Sequence, residues 1–301
     1  MITQGAFNLL FRPGLRKNFL DSYQFYEPEY TQYLNQGTMD GPEIEASIIT
    51  GLKRLHIRED GEPVIYEDPK LGPKVVGVDK EFALGFLLTR KTVEDDKYGK
   101  ANQASKWLGE AARMTSEYRS AEFLDDAFTG TTFLGIDGLR LCHTAHTLIN
   151  SDTTVSNQMG TPVGFSVTGV NALLNLSQLC RNENGDPMKV IPDSVMYNPL
   201  DIDVAMKIFG GDLEPFTSDN DINTIKRRLP GVKQIVKRYT VDGNDYFMMD
   251  SNLNDSWYMV RRPVEFTDDF DFDTDAAKFK VTTRFLVWFV DWRGWYGSNP
   301  A

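Results

Sequence analysis

Residues that supply soft or redox chemistry are scarce in this sequence, which holds 2 cysteines and 3 histidines in 301 residues. Two cysteines, Cys142 and Cys180, cannot build a disulfide framework. The N-terminus has no signal-peptide segment, because Arg12 and Pro13 interrupt its apolar residues early. The longest apolar runs, such as residues 285–290, fall far short of the roughly 20 residues that cross a membrane. These absences predict a protein of the reducing cytosol without a membrane segment.

Basic residues are too few for a protein that grips nucleic acid. Lys and Arg number 32 against 43 Asp and Glu, which gives a formal net charge of −11 at pH 7. A sequence-independent nucleic-acid binder needs an excess of cations to neutralise phosphates, so the charge argues against that class. The charge is compatible with an acidic wall that encloses nucleic acid without binding it.

Familiar catalytic motifs are absent as well. The sequence has no P-loop and no G-x-G-x-x-G dinucleotide fingerprint. The segment GFSVTG at 164–169 reads G-x-S-x-x-G and so lacks the spacing of the nucleophile elbow G-x-S-x-G. We therefore predict that the protein is not an enzyme and holds no cofactor.

One stretch, GLRLCHTAHTL at 138–148, concentrates Cys142, His143 and His146. A metal site in a soluble metalloenzyme is one interpretation of it. Structural zinc needs four ligands, usually as two close pairs, whereas adjacent Cys142 and His143 point to opposite faces of an extended chain. The remaining histidine and cysteine are distant in sequence. We favour a buried Cys and structural histidines, with a structural hydrogen bond at His146, and keep the metalloenzyme as the alternative from another class.

The length of 301 residues predicts about two domains, since one domain has roughly 150 residues. No linker or repeat is visible, so we expect the two domains to be intimately joined. The expected elements are an irregular tyrosine-rich arm (20–45), two extended runs joined by a Pro/Gly-rich tip (46–95), helices at 97–130, 167–180 and 201–209, buried strands at 194–199 and 232–236, a hairpin turn at Asp242-Gly243, and a long C-terminal strand from 278.

The helix at 97–130 contains no proline and would span roughly 45 Å, so it is predicted to act as a strut. Apolar residues three or four positions apart predict its buried face. The residues of that face are Trp107, Ala111, Met114, Tyr118, Ala121 and Phe128. The charges predicted to face solvent are Glu110, Arg113, Glu117 and Arg119.

Read in order, these segments resemble the major capsid proteins of tailed bacteriophages, whose shell fold is called HK97-like. The segment 83–100 resembles the family's return strand before its spine helix, and DGLRLCHTAHTL at 137–148 resembles a segment of the branch related to Mu-type head subunits. The segments VIPDSVMYNP, DNDIN, YFMMDS and VTTRFLVWFVDWRGWYGS fall where the family has its central-domain strand, its polar loop, its late hairpin and its C-terminal strand and tail. The order and spacing of these motifs are more specific than any one of them.

The resemblance implies an α+β fold with an N-terminal arm, an extended two-stranded loop, a long spine helix, a peripheral domain and an axial domain. The implied boundaries are 1–45 for the arm, 46–95 for the loop, 96–150 with 262–301 for the peripheral domain, and 151–261 for the axial domain. The loop would lie over a neighbouring subunit and the arm would reach another. The implied intersubunit contacts are Glu67, Asp68, Lys70, Lys74, Tyr23, Tyr26 and Tyr30.

The implied function is self-assembly into hexamers and pentamers of an icosahedral shell that encloses double-stranded DNA without specific binding. The chain would be assembled in the host bacterial cytoplasm and reside in the virion. Its expected partners are other copies of itself, a portal, in some cases a decoration protein, and a separate scaffolding protein. Fewer than 50 residues precede the loop, so the alternative to separate scaffolding is a chain already trimmed before Met1. An encapsulin-like cellular compartment with the same fold is the sister interpretation.

Overall fold

The computed structural model describes residues 12–89, 91–92, 99–211, 222–271 and 276–300. The first 11 residues of the predicted arm, the acidic end of the return strand at 93–98 and the first part of DNDIN lie outside these ranges. Among the described residues, no helix is long and apolar enough to cross a membrane.

The three helices predicted from the sequence periodicity lie close to their expected positions. The helices of the structure are α1 (Arg12–Tyr23), α2 (Lys100–Thr129), α3 (Val167–Ser177), α4 (Ile202–Gly210) and α5 (Thr224–Arg228), with 3₁₀ turns at Tyr30–Gln32 and Pro199–Asp201. Capping fixes two of the N-termini: the side chain of Ser166 accepts from Gly169 N ahead of α3, and that of Asn223 accepts from Lys226 N ahead of α5. The predicted helices at 97–130, 167–180 and 201–209 are confirmed.

Two four-stranded sheets organise the rest of the chain. The first has the order β1 (Asn35–Thr38), β10 (Ser256–Asp271), β11 (Ala276–Phe289) and β4 (Lys80–Thr89). The second has the order β12 (Trp295–Ser298), β9 (Tyr246–Met249), β7 (Ser194–Tyr197) and β8 (Lys233–Val236). Two further pairs are β2 (Glu43–Ile49) with β3 (Leu71–Val78), and β5 (His146–Leu148) with β6 (Ser151–Val155). Because every residue of β7, β9 and β12 is buried, the second sheet lies in the core.

The second sheet differs from expectation at the Asp242-Gly243 turn. β8 pairs with β7 in parallel and β9 pairs with the other edge of β7 in antiparallel fashion, so β8 and β9 are not a hairpin. The dipeptide does form a turn, but the chain crosses β7 after it. The prediction of a hairpin at this position was wrong, because strand order depends on long-range packing that a local turn signal does not report.

Two stretches join a different sheet from the one that the implied domain boundaries suggest. β12 pairs with β9 in the second sheet, although 262–301 was assigned to the peripheral domain. β10 begins in the first sheet at Ser256, although residues up to 261 were assigned to the axial domain. The C-terminal region is therefore two strands, β11 and β12, and the second of them returns to the core.

The arm is more regular than predicted and lies on its own chain. α1 packs along α2, where Ser105 Oγ donates to the carbonyl of Leu15 at 2.6 Å. Tyr30 is 7% exposed and its ring stacks on Tyr258 with the centroids 4.3 Å apart. An amphipathic helix was missed here because its sequence, RPGLRKNFLDSY, shows little apolar periodicity.

The predicted buried face of α2 was right at Ala121 and Phe128, each 3% exposed, and wrong at Trp107, Met114 and Tyr118. Trp107 is 60% exposed and Tyr118 57%, whereas Glu117, expected in solvent, is 2% exposed. The buried face consists largely of small residues, which let α1 approach closely: a Cβ on Gly109 would lie 2.4 Å from the carbonyl oxygen of Phe19. Large side chains do not fit at such a crossing and turn outward.

The two extended runs of 46–95 are shorter and more divided than predicted. β2 ends at Ile49, and residues 50–70 form no strand. The second run splits at Asp79 into β3 and β4, which belong to different sheets. Asp79 is buried and accepts from Arg284 Nη2 at 3.1 Å, so a buried ion pair marks the division.

Candidate functional sites: the connector and the exposed assembly surfaces

The Cys/His stretch lies in a connector, residues 131–160, that leads from α2 to the second sheet. His146 opens β5 and is fully buried. Its Nδ1 lies 2.6 Å from Asp137 Oδ2 and its Nε2 lies 3.0 Å from Asn157 Oδ1. The ring stacks on Trp292 with the centroids 4.1 Å apart and the planes 8° from parallel. The prediction of a structural hydrogen bond at His146 is confirmed.

The orientation of the Asn157 amide is fixed by three backbone groups. Its Nδ2 donates to the carbonyls of Leu141 at 2.7 Å and Trp295 at 2.9 Å. Its Oδ1 accepts from the amide of His143 at 2.8 Å. Reversing the amide would break all three bonds, so an acceptor oxygen must face the ring of His146.

This orientation makes Asn157 Oδ1 an acceptor, so Nε2 of the His146 ring is the donor in that bond. Nδ1 shares a hydrogen bond with the buried carboxyl of Asp137. Both ring nitrogens are thus engaged within the chain, which makes the connector a structural joint.

The two neighbours of His146 in the motif fit the same conclusion. Cys142 is fully buried, and burial raises the pKa of its thiol well above the ordinary value. Burial, followed by the charge of Arg140, lowers the pKa of His143, whose Nδ1 accepts from Ala145 N at 3.1 Å. Across the described part of the chain, no group of three or more His, Cys, Asp and Glu side chains is placed to hold a metal ion.

Four of the predicted contact residues are exposed: Glu67, Asp68 and Lys70 in the loop between β2 and β3, and Lys74 in β3. Lys74 Nζ pairs with Glu45 Oε2 across the two strands at 2.8 Å. The amide of Lys70 donates to Thr50 Oγ1 at 2.9 Å, which closes the base of the loop. These bonds shape the loop and leave its outer face open.

Large apolar side chains of the same loop project into solvent. Leu55 is 100% exposed, Ile57 97% and Tyr66 90%. The base of the loop rests on its own chain, where Asn184 Nδ2 donates to the carbonyl of Gly51 at 3.0 Å and Arg54 pairs with Asp186 at 2.6 Å. Exposure of this extent in adjoining apolar residues is typical of a surface that another molecule covers.

A second exposed apolar surface lies along α2. A groove of about 590 Å³ is lined by apolar and aromatic residues together with two acids and one cation, Arg119, which pairs with Glu122. We call it the spine groove; its main residues are Phe82, Met114, Tyr118, Tyr239, Val241, Glu122 and Asp125. Asp125 Oδ1 accepts from the amide of Val241 at 3.0 Å, which ties this end of α2 to the turn before β9.

The predicted arm contacts differ in accessibility. Tyr26 is 68% exposed and packs edge-on against the equally open Phe25. Tyr23 is half-buried, with the Arg113 guanidinium 4.2 Å from its ring centroid. Tyr30 is buried in its own chain, so its side chain is not available to a neighbour. Sequence reasoning missed Asp137 and Asn157, as well as the apolar residues Leu55 and Ile57 that dominate the loop.

Comparison with known proteins identifies similarity to phage capsid proteins and related particles. The sequence matches the family described as phage capsid protein over residues 74–298, well over half of the chain. In structure it is similar to a virus-like particle from Pyrococcus furiosus (TM-score 0.56, 14% identity, 94% of this chain and 97% of that chain) and to Microbacterium phage Oxtober96 (0.58, 10%, 92% of both). It is also similar to the procapsid of bacteriophage JBD30 (0.55, 15%, 99% of this chain and 76% of that chain). No curated protein matches it.

The fold and its exposed surfaces define a shell-forming subunit of the HK97-like class. The chain belongs to the phage capsid protein family. It is a structural protein of the virion capsid that associates with copies of itself, and the encapsulin-like interpretation is not favoured over this one.

Proposed function

We propose that this chain is the major capsid protein of a tailed phage, forming hexamers and pentamers of an icosahedral shell around double-stranded DNA. The observation that carries the proposal is that the large apolar side chains of the loop at 50–70 are all more than half exposed, Leu55 and Ile57 almost completely. Exposed apolar side chains do not stabilise a monomer, whereas they stabilise a lattice in which neighbouring subunits cover them.

The loop lies over a neighbouring subunit in this proposal. Segment 52–58, LKRLHIR, alternates exposed apolar residues with cations and contains no acid, in a chain whose net charge is −11. The spine groove offers an apolar surface to receive it, since Met114 and Tyr118 are exposed there beside the acid Asp125. Glu122 is paired with Arg119 of the same groove. Apolar character and part of the charge therefore match between two surfaces that one chain leaves open.

Other proposed contacts lie around this central one. Glu67, Asp68, Lys70 and Lys74 surround the apolar loop residues as a polar rim, and Tyr26 with Phe25 forms an open aromatic pair at the end of α1. Rim charges contribute little affinity but set register and partner choice. The axial role of 151–261 and the peripheral role of α2, β10 and β11 belong to the same proposal.

The remaining partners follow from the same assignment. The acidic net charge supports an inner wall that DNA does not adhere to. A separate scaffolding protein, a portal and a decoration protein would complete the head, with assembly in the host bacterial cytoplasm. The Mu-type branch within the family is likewise a proposal.

Electron microscopy of the purified full chain tests the proposal. We expect closed shells, or rings of five and six subunits, at high protein concentration. A chain that stays monomeric under all assembly conditions would contradict it. The nucleic acid content of particles from infected cells tests the enclosed genome.

Cysteine cross-linking tests the loop contact. Leu55→Cys and Met114→Cys are made in separate chains, mixed during assembly and treated with a short bismaleimide; native Cys142 and Cys180 are buried. We expect a cross-linked dimer only in the mixture. Leu55→Cys mixed with Asp203→Cys, an exposed position on α4, is the matched control. Shells without the cross-link would reject the spine groove as the receiving surface and leave the shell function standing.

A further inference from the structure

Glu117 is a buried acid at the junction between the arm and α2. It lies near the middle of the helix and is 2% exposed, although its neighbours Glu110 and Glu122 lie at the surface. Its Oε1 accepts from the amide of Glu29 at 3.1 Å, at the start of the 3₁₀ turn Tyr30–Gln32. One carboxyl oxygen of the strut thus caps the turn that carries the chain from the arm to β1.

The second carboxyl oxygen, Oε2, is buried and has no hydrogen-bond partner. A buried carboxylate with one unsatisfied oxygen is costly, whereas a neutral acid in the same position is much less so. The titratable and charged groups facing Glu117 from the elements around it are Arg113 on α2, Glu29, Tyr30 and Tyr33 on the arm, and Tyr239 after β8.

Only one of these groups is a cation, and it is already engaged. The guanidinium of Arg113 lies over the ring of Tyr23, and its Nε donates to the carbonyl of Tyr23 at 3.0 Å. Glu29 brings a second negative charge, which Arg238 pairs with from the far side. Glu117 therefore occupies a site where its ionised form is poorly balanced.

We propose that Glu117 is a proton-linked latch: as a neutral acid it holds the turn at 29–32 against α2, and its ionisation favours release of that turn. Release brings the carboxylate into water and frees the turn from the strut, while α1 stays packed along α2. The reaction is a simple proton transfer to solvent, and no other reactant is needed.

The sign and size of the effect follow from the acid's titration. Burial, the largest cause, raises the pKa of Glu117 from 4.5 to about 7, while the amides of Glu29 and Tyr30 oppose the shift. The closed state is therefore favoured fully below pH 4.5, and this advantage is lost as the pH rises through 7. Complete release to water would raise the open-to-closed ratio by up to roughly 300-fold across this window.

Release of the turn would also affect the strand β1 that follows it. Leu34 donates to the carbonyl of Tyr30 at 2.8 Å, and Asn35 begins β1 on the edge of the first sheet. Glu29 also links the turn to Arg238 after β8. A proton on Glu117 therefore sets how firmly the arm is joined to both sheets, independently of whether the chain forms a shell.

Hydrogen exchange of the full chain at pH 5, 6, 7 and 8 tests the latch, with rates corrected for intrinsic pH dependence. We expect the opening equilibrium of a peptide covering 29–35 to rise at least tenfold from pH 5 to pH 8 in the wild type. Glu117→Gln should stay closed throughout. Glu110→Gln, an exposed acid on the same helix, is the matched control and should retain the wild-type profile.

Two outcomes overturn the proposal. A flat wild-type profile excludes the latch whatever the variants do. A Glu117→Gln chain that is open at every pH shows that the carboxylate itself, and not its proton, holds the turn.

Discussion

The connector and the loop depart from the usual distribution of polar and apolar groups in opposite directions. The connector buries a hydrogen-bonded pair and an amide, those of His146, Asp137 and Asn157. The loop exposes Leu55 and Ile57 almost completely. Each arrangement is costly unless something compensates for it. The connector is compensated within its own chain, because every polar atom of the network that we have described has a partner.

The loop has no such compensation in one chain. Its base is tied to residues 184–186, but its apolar side chains contact solvent. The comparison therefore separates what the subunit needs in order to fold from what it needs in order to assemble. Substitutions in the connector should alter folding, and substitutions in the loop should alter association.

The largest effect on folding is expected at Asn157. Asn157→Leu leaves the carbonyls of Leu141 and Trp295, the amide of His143 and one nitrogen of His146 without their partner. We expect a loss on the order of 4 kcal/mol of unfolding free energy, since each buried unsatisfied group costs roughly 1–3 kcal/mol. Urea denaturation of the unassembled chain measures it, with exposed Asn102→Leu as control. A shift as small as the control's would mean that the network contributes nothing to folding.

A somewhat smaller loss is expected at Asp137. Asp137→Ala leaves Nδ1 of the buried His146 ring without its partner, and breaking one side of a buried pair costs about 3 kcal/mol. Asp137→Ala combined with His146→Leu removes both partners and should recover part of that loss. Equal denaturation midpoints for the single and double variants would show that the unpaired ring nitrogen costs nothing.

How far the sequence predicts this molecule differs between the two regions. The Cys/His spacing predicted a structural His146, because a convergent set of metal ligands was missing. It did not point to Asp137 or Asn157, because the contacts that bring them together depend on turns around residues 138 and 150 and on packing against Trp292. The sequence feature that could have pointed to Asp137 was the turn dipeptide Asp137-Gly138, whose glycine has φ 73°.

The spine helix α2 shows the same limit of prediction from sequence. Its span was predicted within three residues, because helical periodicity and the stop at Gly130 are local features. Its buried face was predicted only in part, because apolar residues were assumed to face inward. The small residues Ser105, Gly109, Ala112 and Ser116 recur at three- or four-residue spacing and indicate a close helix crossing, which outweighs hydrophobicity on that face.

A modest effect is expected where the loop meets its own chain. Asn184→Ala removes the bonds to the carbonyls of Gly51 and Leu52 and should cost about 1 kcal/mol. The loop should become more accessible to trypsin at Lys53, Arg54 and Arg58. Limited proteolysis followed by mass spectrometry measures this change. Unchanged cleavage would show that the Arg54–Asp186 pair alone anchors the loop base.

The smallest effect on folding is expected at the tip of the loop. Ile57→Asp exchanges an apolar side chain that is 97% exposed, so the unfolding free energy should change by no more than about 0.5 kcal/mol. Assembly should respond strongly, because each subunit contributes the same contact and many weak contacts add in a closed shell. Sedimentation velocity should show free subunits at concentrations where the wild type forms particles.

Val241→Asp is the matched control for that result. Val241 is 90% exposed, but it lies on the spine groove, where the structure places two acids already. If the loop of one copy meets the groove of the next, Val241→Asp should weaken assembly less than Ile57→Asp, because an added acid faces the basic segment 52–58. Equal losses would show that the two surfaces meet through apolar contact alone. An assembly-competent Ile57→Asp chain would place the loop outside the lattice contacts and remove the contrast with the connector.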